Sequence, residues 1–267
     1  MKLAVNHVTY YRYEAAVRSS TQYLRLTPRD SARQKIVDWR LETPGKPTRT
    51  HDGYGNVLHV LTLDKPAREI SIRAIGTVET AAALDEGADA VALSPLVFVR
   101  FTQQTRPDEA LARFAEGFRR RAASLSGLRE LAGAIHRRMP FRPGDTAVSS
   151  SAAEAFRIGS GVCQDHAHVF LACCRQLGVP ARYVSGYVYS PAHASAHVAS
   201  HAWAEAWVVD RWHSFDVANN CHAGEAHLKL AVGADYFDAC PIRGVRSGGG
   251  AETMTALAFV DQHGVQQ

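Results

Sequence analysis

The chain has 267 residues, of which 46% are hydrophobic and 21% are charged, and its formal net charge is +4. This composition is typical of a folded globular protein and excludes a disordered, collagen-like or coiled-coil chain. The 30 basic and 26 acidic residues are spread along the sequence instead of forming a tail, so the charge does not predict binding to nucleic acid.

The pattern of apolar residues contains no membrane or secretion signal. No apolar run approaches the ~20 residues that a membrane-spanning helix needs, and residues 1–7 lack the apolar segment of a signal peptide. Five cysteines form an odd and irregularly spaced set, which favours reduced thiols over a disulfide framework. The sequence therefore predicts a cytoplasmic protein without a membrane partner.

Short runs of alternating polar and apolar residues fill the first part of the chain, which is the pattern of half-buried strands. Turn residues separate them, notably at 44–47 and 52–56. The predicted strands are residues 8–13, 23–26, 36–41, 57–63 and 70–78. We therefore predict an antiparallel β-sandwich-like domain over residues 1–94.

The composition shifts at residues 81–89, and after residues 107–109 the apolar spacing changes to the helical period. We place the boundary near residue 95, which predicts a second domain over residues 95–267. A helix is predicted to begin at Cys163 and to stop at the Gly178 and Pro180 signals. Strands follow at 183–189, 202–209 and 212–217, and the last two form a predicted hairpin. Helices together with these strands indicate an α+β fold.

Cys163 follows Gly159 and Gly161 at the start of its predicted helix, and this is an environment suited to a nucleophile. The free amides and the dipole at a helix N-terminus stabilise a thiolate. Glycine would let the backbone turn sharply into the helix and let a substrate lie close against it. We therefore predict that Cys163 is a catalytic nucleophile.

A cysteine nucleophile needs an imidazole and a group that orients it, and His201 and Asp216 are the candidates. If the hairpin turns at residues 209–210, His201 faces Ala218, and Asp216 lies two residues along on the same face. The diagonal separation is then about 7 to 8 Å between backbones, within reach of these side chains. The pattern predicts a Cys163, His201 and Asp216 triad.

Three segments, 161–167, 200–205 and 212–217, resemble the successive signatures of the bacterial transglutaminase-like superfamily. The resemblance extends toward both ends of the chain. Residues near the start of the chain resemble the β-rich N-terminal region of that family: His7, Thr9, Tyr11 and Tyr13, residues 24–29 and residues 52–56. Residues 231–236 and 241–245 resemble its C-terminal segment. Nearly the whole chain is covered.

The resemblance implies a papain-like α+β core, with Cys163 as nucleophile, His201 as general base and acid, and Asp216 as the orienting carboxylate. It implies thiolate attack on the amide carbonyl of a peptide or protein, through a thioester. We favour hydrolysis, with acyl transfer from glutamine to an amine, or a binding protein without turnover, as alternatives. The chain departs from the animal enzymes at Gln164, where they have tryptophan, and residues 217–218 replace a frequent Pro-Thr pair.

Two further residues are candidates for substrate binding or the oxyanion hole, whose first donor would be the backbone amide of Cys163. Gln164 could supply the second donor, although a polar residue in the first turn of a helix can equally point to water. Trp203 lies on the face of His201 and could shield it from water. If Asp216 proved not to orient His201, Glu205 on the same strand would be the next candidate.

Other histidines and cysteines are given no role. His193, His197 and His201 have the spacing of zinc ligands on a helix, but Pro191 and the small residues around them argue against a helix, so we predict no metal. His166 and His168 with Cys163 are a weaker cluster. We predict that Cys173 and Cys174 pack in the core, leave Cys221 and Cys240 unassigned, and predict no cofactor.

Overall fold

The computed structural model describes residues 1–82, 93–190 and 200–262. They form an α+β fold in which an antiparallel sheet of seven strands lies beside a sheet of four strands covered by helices. Most of the predicted composition shift at residues 81–89 falls outside the described residues.

The larger sheet is built mainly from the N-terminal region. Its strands are β1 (Lys2–Leu24), β2 (Gln34–Glu42), β3 (Thr48–His51), β4 (Val57–Leu63) and β5 (Ala67–Thr80), in the order β2-β5-β1-β4-β3, with β10 (Ile242–Gly248) and β11 (Glu252–Gln262) also paired to β1. The predicted strands of this region are confirmed in position, but 8–13 and the first two residues of 23–26 belong to the single strand β1, and β3 was not predicted.

β1 holds this sheet together because its two halves have different neighbours. Residues 2–12 pair with β5 and residues 3–13 with β11, whereas residues 20–24 pair with β4 and β10. The register is interrupted between Arg12 and Val17. Side chains of both halves then meet in one apolar cluster, which includes Tyr11, Leu24, Leu61, Ile70 and Ile72. The sheet therefore curls into the sandwich-like form that the sequence predicts.

The C-terminal strands require a correction to the predicted division of the chain. The sequence assigns residues 95–267 to one cysteine domain, but residues 242–262 lie in the N-terminal sheet beside β1. β10 is almost entirely exposed and rich in glycine and arginine, so it lacks the alternation from which a strand is predicted. The cysteine domain is thus inserted between β5 and β10.

The helix predicted to begin at Cys163 is confirmed, and it is one of five α-helices that the structure describes in the inserted domain. They are α1 (Glu109–Glu116), α2 (Leu125–Arg138), α3 (Ala152–Ile158), α4 (Cys163–Gln176) and α5 (Tyr236–Ala239), with short 3₁₀ segments at Pro95–Val99 and Arg119–Arg121. Asp108, Ser124 and Ser151 cap the first three by accepting hydrogen bonds from backbone amides of the first turn. In the part of the chain that the structure describes, no helix has the length and apolarity to cross a membrane.

The smaller sheet has the order β8-β7-β6-β9. Its strands are β6 (Ala181–Val188), β7 (Ser200–Val208), β8 (Arg211–Phe215) and β9 (His227–Gly233). Helix α4 shares a large apolar cluster with this sheet, and nearly every residue of the helix is buried. Cys173 and Cys174 lie in that core as predicted, and burial raises the pKa of both thiols well above the ordinary value.

Two amide side chains of the N-terminal region hold the edge strand β9. Gln34 accepts from the backbone amide of Lys229 (2.8 Å) and donates to its carbonyl (2.9 Å). Asn56 likewise accepts from the backbone amide of Val232 (2.8 Å) and donates to its carbonyl (2.7 Å). Each amide thus satisfies both backbone groups of one residue, as a neighbouring strand would. The two parts of the molecule are joined along this edge.

Candidate active site

Cys163 begins α4 at a turn that is built around Asp165. The Asp165 carboxylate accepts hydrogen bonds from the backbone amide of Val162 (2.8 Å) and from the Thr146 hydroxyl (2.7 Å). A Cβ on Gly161 would lie 2.6 Å from the same carboxylate oxygen. Gly159 ends α3 with a φ of +80°. The two glycines therefore serve the turn itself, where the sequence suggested close approach of a substrate.

The predicted hairpin between β7 and β8 is confirmed together with its register. Val209 and Asp210 form the turn with φ values of 52° and 57°, which suit a two-residue type I′ turn. Ala204 pairs with Phe215, the register expected for this turn. His201 and Asp216 then lie close enough that His201 Nε2 is 2.7 Å from Asp216 Oδ2.

His201 lies between Asp216 and Cys163. Cys163 also faces His201, and because Asp216 occupies Nε2, the ring nitrogen left for the thiol is Nδ1. Burial alone would lower the pKa of His201, but its hydrogen bonds to Asp216 and Cys163 and the charges of both groups raise that pKa to about 10. The imidazole is therefore protonated at neutral pH and can stabilise a thiolate. Cys163 itself is only partly buried.

Asp216 is fully buried and accepts hydrogen bonds from several donors. Besides His201, its Oδ2 accepts from Asn219 Nδ2 (2.7 Å) and lies 2.9 Å from His227 Nε2, and its Oδ1 accepts from the Asn219 backbone amide (3.1 Å). Burial alone would raise the pKa of this carboxyl group, but the two histidines hold it well below its usual range. Asp216 is therefore a carboxylate at every pH near neutral.

His227, the first residue of β9, is a member of the site that the sequence did not predict. Its Nδ1 accepts from the backbone amide of Gly224 (3.2 Å), so its proton lies on Nε2 and is donated to Asp216. The ligand atoms of His201, Asp216 and His227 lie within 4.8 Å of one another, as in some metal sites. A metal on Nε2 would have to displace that proton while Nδ1 still faces an N–H group. The arrangement therefore favours a hydrogen-bonded carboxylate over a metal centre.

Trp203 packs against His201 and His227, and its role as a shield against water stays a prediction. Its ring centroid lies 6.2 Å from that of His201 in a stacked arrangement and 5.3 Å from that of His227 in an edge arrangement. The indole is buried, and within the described ranges its Nε1 has no hydrogen-bond partner. Gly186, opposite His201 on β6, makes room for this ring, because a Cβ there would lie 2.6 Å from it.

Gln164, the other candidate beside the nucleophile, is bonded to a neighbouring loop. One of its amide hydrogens is donated to the Val148 carbonyl at 2.9 Å, and the side chain is buried. The contact ties the first turn of α4 to the loop before α3. The role of Gln164 in an oxyanion hole stays a prediction.

The alternative carboxylate, Glu205, is used elsewhere. It is fully buried between Arg182, whose Nε donates at 2.6 Å, and Lys229, which donates to its other oxygen. Burial raises the pKa of Glu205, but the two cations outweigh that effect and lower it to about 2. Glu205 therefore balances the buried Arg182 and the half-buried Lys229, and among the described contacts it makes none of this kind with His201.

The remaining histidines of the sequence analysis make backbone contacts. The ring nitrogens of His166 lie 2.8 Å and 2.6 Å from the carbonyl oxygens of Val162 and Met139. His168 accepts from the backbone amide of Tyr236 at 3.1 Å, and burial lowers its pKa to about 3. His193 and His197, the other two residues of the zinc alternative, lie outside the described residues.

Comparison with known proteins identifies the family. Residues 112–217, which include Cys163, His201 and Asp216, match the transglutaminase-like superfamily, and residues 3–79 match the bacterial transglutaminase-like N-terminal region. An uncharacterised protein of Mycobacterium leprae is 32% identical over 278 residues, covering 97% of this chain and 98% of that protein. The chain belongs to the transglutaminase-like superfamily.

Other similar proteins extend the resemblance over the whole fold. An uncharacterised protein of Mycobacterium tuberculosis is 31% identical over 270 residues, covering 90% of this chain and 86% of that protein. A solved structure from Cytophaga hutchinsonii, described as a candidate cysteine protease, superposes with a TM-score of 0.79. It is 21% identical and covers 100% of this chain and 92% of that one, so it shows that the fold is shared.

Proposed function

We propose that this transglutaminase-like protein is a cysteine peptidase or amidase that uses Cys163, His201 and Asp216. The observation that supports this most directly is the position of His201, which bonds to Asp216 through Nε2 and to Cys163 on its other side. This order of groups is that of a nucleophile, a general base and an orienting carboxylate. The description of the Cytophaga hutchinsonii protein as a candidate cysteine protease agrees with it.

The proposed reaction has two halves. The Cys163 thiolate attacks the amide carbonyl carbon, and the backbone amide of Cys163 stabilises the oxyanion that forms. As the C–N bond breaks, the His201 imidazolium gives its proton to the leaving amine, and a thioester remains on Cys163. His201 then removes a proton from water, which attacks the thioester. The carboxylic acid is released, and the Cys163 thiolate and the His201 imidazolium are regenerated.

The product test compares the wild-type protein with Cys163→Ala on glutamine-containing peptides and a cell peptide extract, with and without an added primary amine. Hydrolysis predicts fragments whose masses sum to that of the peptide plus one water, and only with the wild-type protein. Incorporation of the amine with loss of ammonia would establish acyl transfer instead. No product, together with Cys163 alkylation no faster than that of the exposed Cys221, would leave a binding protein as the function.

Asp216→Asn tests the orienting carboxylate, with Glu205→Gln as a matched control, because both carboxyl groups are completely buried. We expect Asp216→Asn to lower the turnover of folded protein by roughly 10² to 10⁴-fold, since the amide no longer stabilises the imidazolium of His201. Glu205→Gln instead removes the negative charge that the side chains of Arg182 and Lys229 contact. It should lower the free energy of unfolding by about 3 to 5 kcal/mol without a comparable effect on turnover.

Urea unfolding and initial rates, corrected for the folded fraction, separate the two effects. Unchanged turnover in Asp216→Asn would mean that another group orients His201.

A further inference from the structure

A chain of hydrogen bonds connects the N-terminal region to the carboxylate of the proposed triad. We propose that His227 is a positioning residue for Asp216, and that Arg33 of the N-terminal region holds His227 in place through the backbone of Gly224. This inference rests on the proposed function, because it assigns these residues a role in orienting the same triad.

The first step of the inference is the bond between His227 and Asp216. Both histidines contact the same carboxylate oxygen: Asp216 Oδ2 lies 2.9 Å from His227 Nε2 and 2.7 Å from His201 Nε2. With its proton fixed on Nε2, His227 acts as a donor to Asp216 throughout the cycle. It therefore limits rotation of the carboxylate while His201 gains and loses a proton.

The second step is the turn that holds His227. The Gly224 amide donates to His227 Nδ1, and the Gly224 carbonyl accepts from the His227 backbone amide at 3.0 Å. That carbonyl also accepts from Arg33 Nη2 at 3.0 Å. The next carbonyl, of Glu225, accepts from the Thr80 hydroxyl at 2.5 Å. Two carbonyls of the turn are thus bonded to the N-terminal region.

The contacts of Arg33 and His227 hold the turn in one position because both side chains are buried. Arg33 and His227 are each less than one tenth exposed, so neither side chain can exchange its partner for bulk water without a structural change. The guanidinium reaches across the boundary between the two parts of the molecule. The N-terminal region therefore contributes to the geometry of the catalytic carboxylate although it lies outside the reacting groups.

The test uses the full-length chain and two substitutions of His227. His227→Phe keeps the ring but removes both nitrogens, and we expect a roughly 10- to 100-fold loss of kcat with little change in KM. His227→Gln restores an N–H donor near the position of Nε2, so it should recover most of the activity. A purely structural role would not distinguish a donor from an apolar ring in this way.

A second readout requires no substrate. Without the His227 donor, Asp216 is less firmly oriented toward His201 and its own pKa is held down less, so the pH profile of Cys163 alkylation should differ between wild-type protein and His227→Phe. The charged or titratable groups that face Asp216 are His201, His227 and Cys221. Burial and the charge of Asp216 raise the pKa of Cys221 to about 11, so it does not titrate in this range.

Arg33→Met and Gln34→Met form a matched pair for the contact across the boundary. Both residues are buried and both bond to the backbone of the cysteine domain, but only Arg33 binds the turn before His227. We expect Arg33→Met to lower kcat several-fold and to move the alkylation profile in the same direction as His227→Phe. Gln34→Met should lower the thermal stability as much as Arg33→Met does, while kcat and the alkylation profile stay at their wild-type values.

The outcomes separate this inference from the proposed function. If wild-type Cys163 is alkylated rapidly but His227→Phe gives a superimposable profile and unchanged kcat, the positioning role is wrong and the triad stands. Equal losses in Arg33→Met and Gln34→Met would overturn the role of Arg33. If wild-type Cys163 reacts no faster than Cys221, the proposed function and this inference fail together.

Discussion

Cys163→Ala is expected to lower the rate of amide cleavage by about 10⁴-fold or more, because it removes the thiol on which the proposed thioester forms. The folded structure should be unaffected. Cys163 is only partly buried at the start of α4, and Asp165 and the glycines hold that turn without help from the thiol. The loss should therefore appear in kcat at unchanged thermal stability.

The matched control for this variant is Cys221→Ala. Cys221 is a free, exposed thiol close to Asp216, so its removal tests whether any cysteine near the site affects turnover. We expect wild-type rates. Intact-mass measurement with a substrate-like electrophile should show one adduct in wild-type protein and in Cys221→Ala, and none in Cys163→Ala. Cleavage that persists in Cys163→Ala would show that the nucleophile is a different group.

His201→Ala is expected to have the second largest effect, because it removes both the general base and the partner of the thiolate. In the wild-type protein the raised pKa of His201 keeps the imidazolium at neutral pH, so a thiolate on Cys163 is stabilised. Alkylation of Cys163 should then stay fast at mildly acidic pH. Without the imidazolium, alkylation should become fast only as the pH approaches the ordinary cysteine pKa of about 8.5, although the helix N-terminus still favours the thiolate.

The measurement is the second-order rate of iodoacetamide modification of Cys163 from pH 4 to pH 10, quantified by peptide mass (this interval spans the ordinary values of about 6.5 for histidine and 8.5 for cysteine). Hydrolysis by His201→Ala should fall roughly 10³-fold or more. Superimposable profiles of the two proteins would show that His201 is not the partner of Cys163. His166, His168 and His213 would then be examined by the same substitution.

The parts of the fold that the sequence predicts are those with a local signal. The alternation of β1, β4 and β5, the helical spacing of α4 and the two-residue turn at Val209 and Asp210 all depend on neighbouring residues. The place of β10 and β11 depends instead on pairing with a strand more than 200 residues away. No local sequence pattern indicates that β1 is the partner of these strands. An exposed strand such as β10 also lacks the polar and apolar alternation from which a strand is predicted.

The same distinction applies to the candidate site. His201 and Asp216 can be predicted as neighbours because one hairpin relates them. His227 reaches Asp216 from β9, which adjoins β6 and not the hairpin strand β8, so its contact follows only from the order of the sheet. Glu205 shows the converse. Its place on the strand of His201 suggested an orienting role, but two cations from other strands determine its partner.

The insertion of the cysteine domain between β5 and β10 limits how the two parts can move. A domain joined by one linker can swing about it, and such motion is the usual expectation when the interface is modest. Here the chain leaves the large sheet after Thr80 and re-enters it at Ile242, and both β5 and β10 are paired with β1. Two attachments to one sheet restrict the pivoting that a single attachment leaves. Access of a substrate to Cys163 is therefore expected to depend less on a hinge between the two parts than it would with one linker.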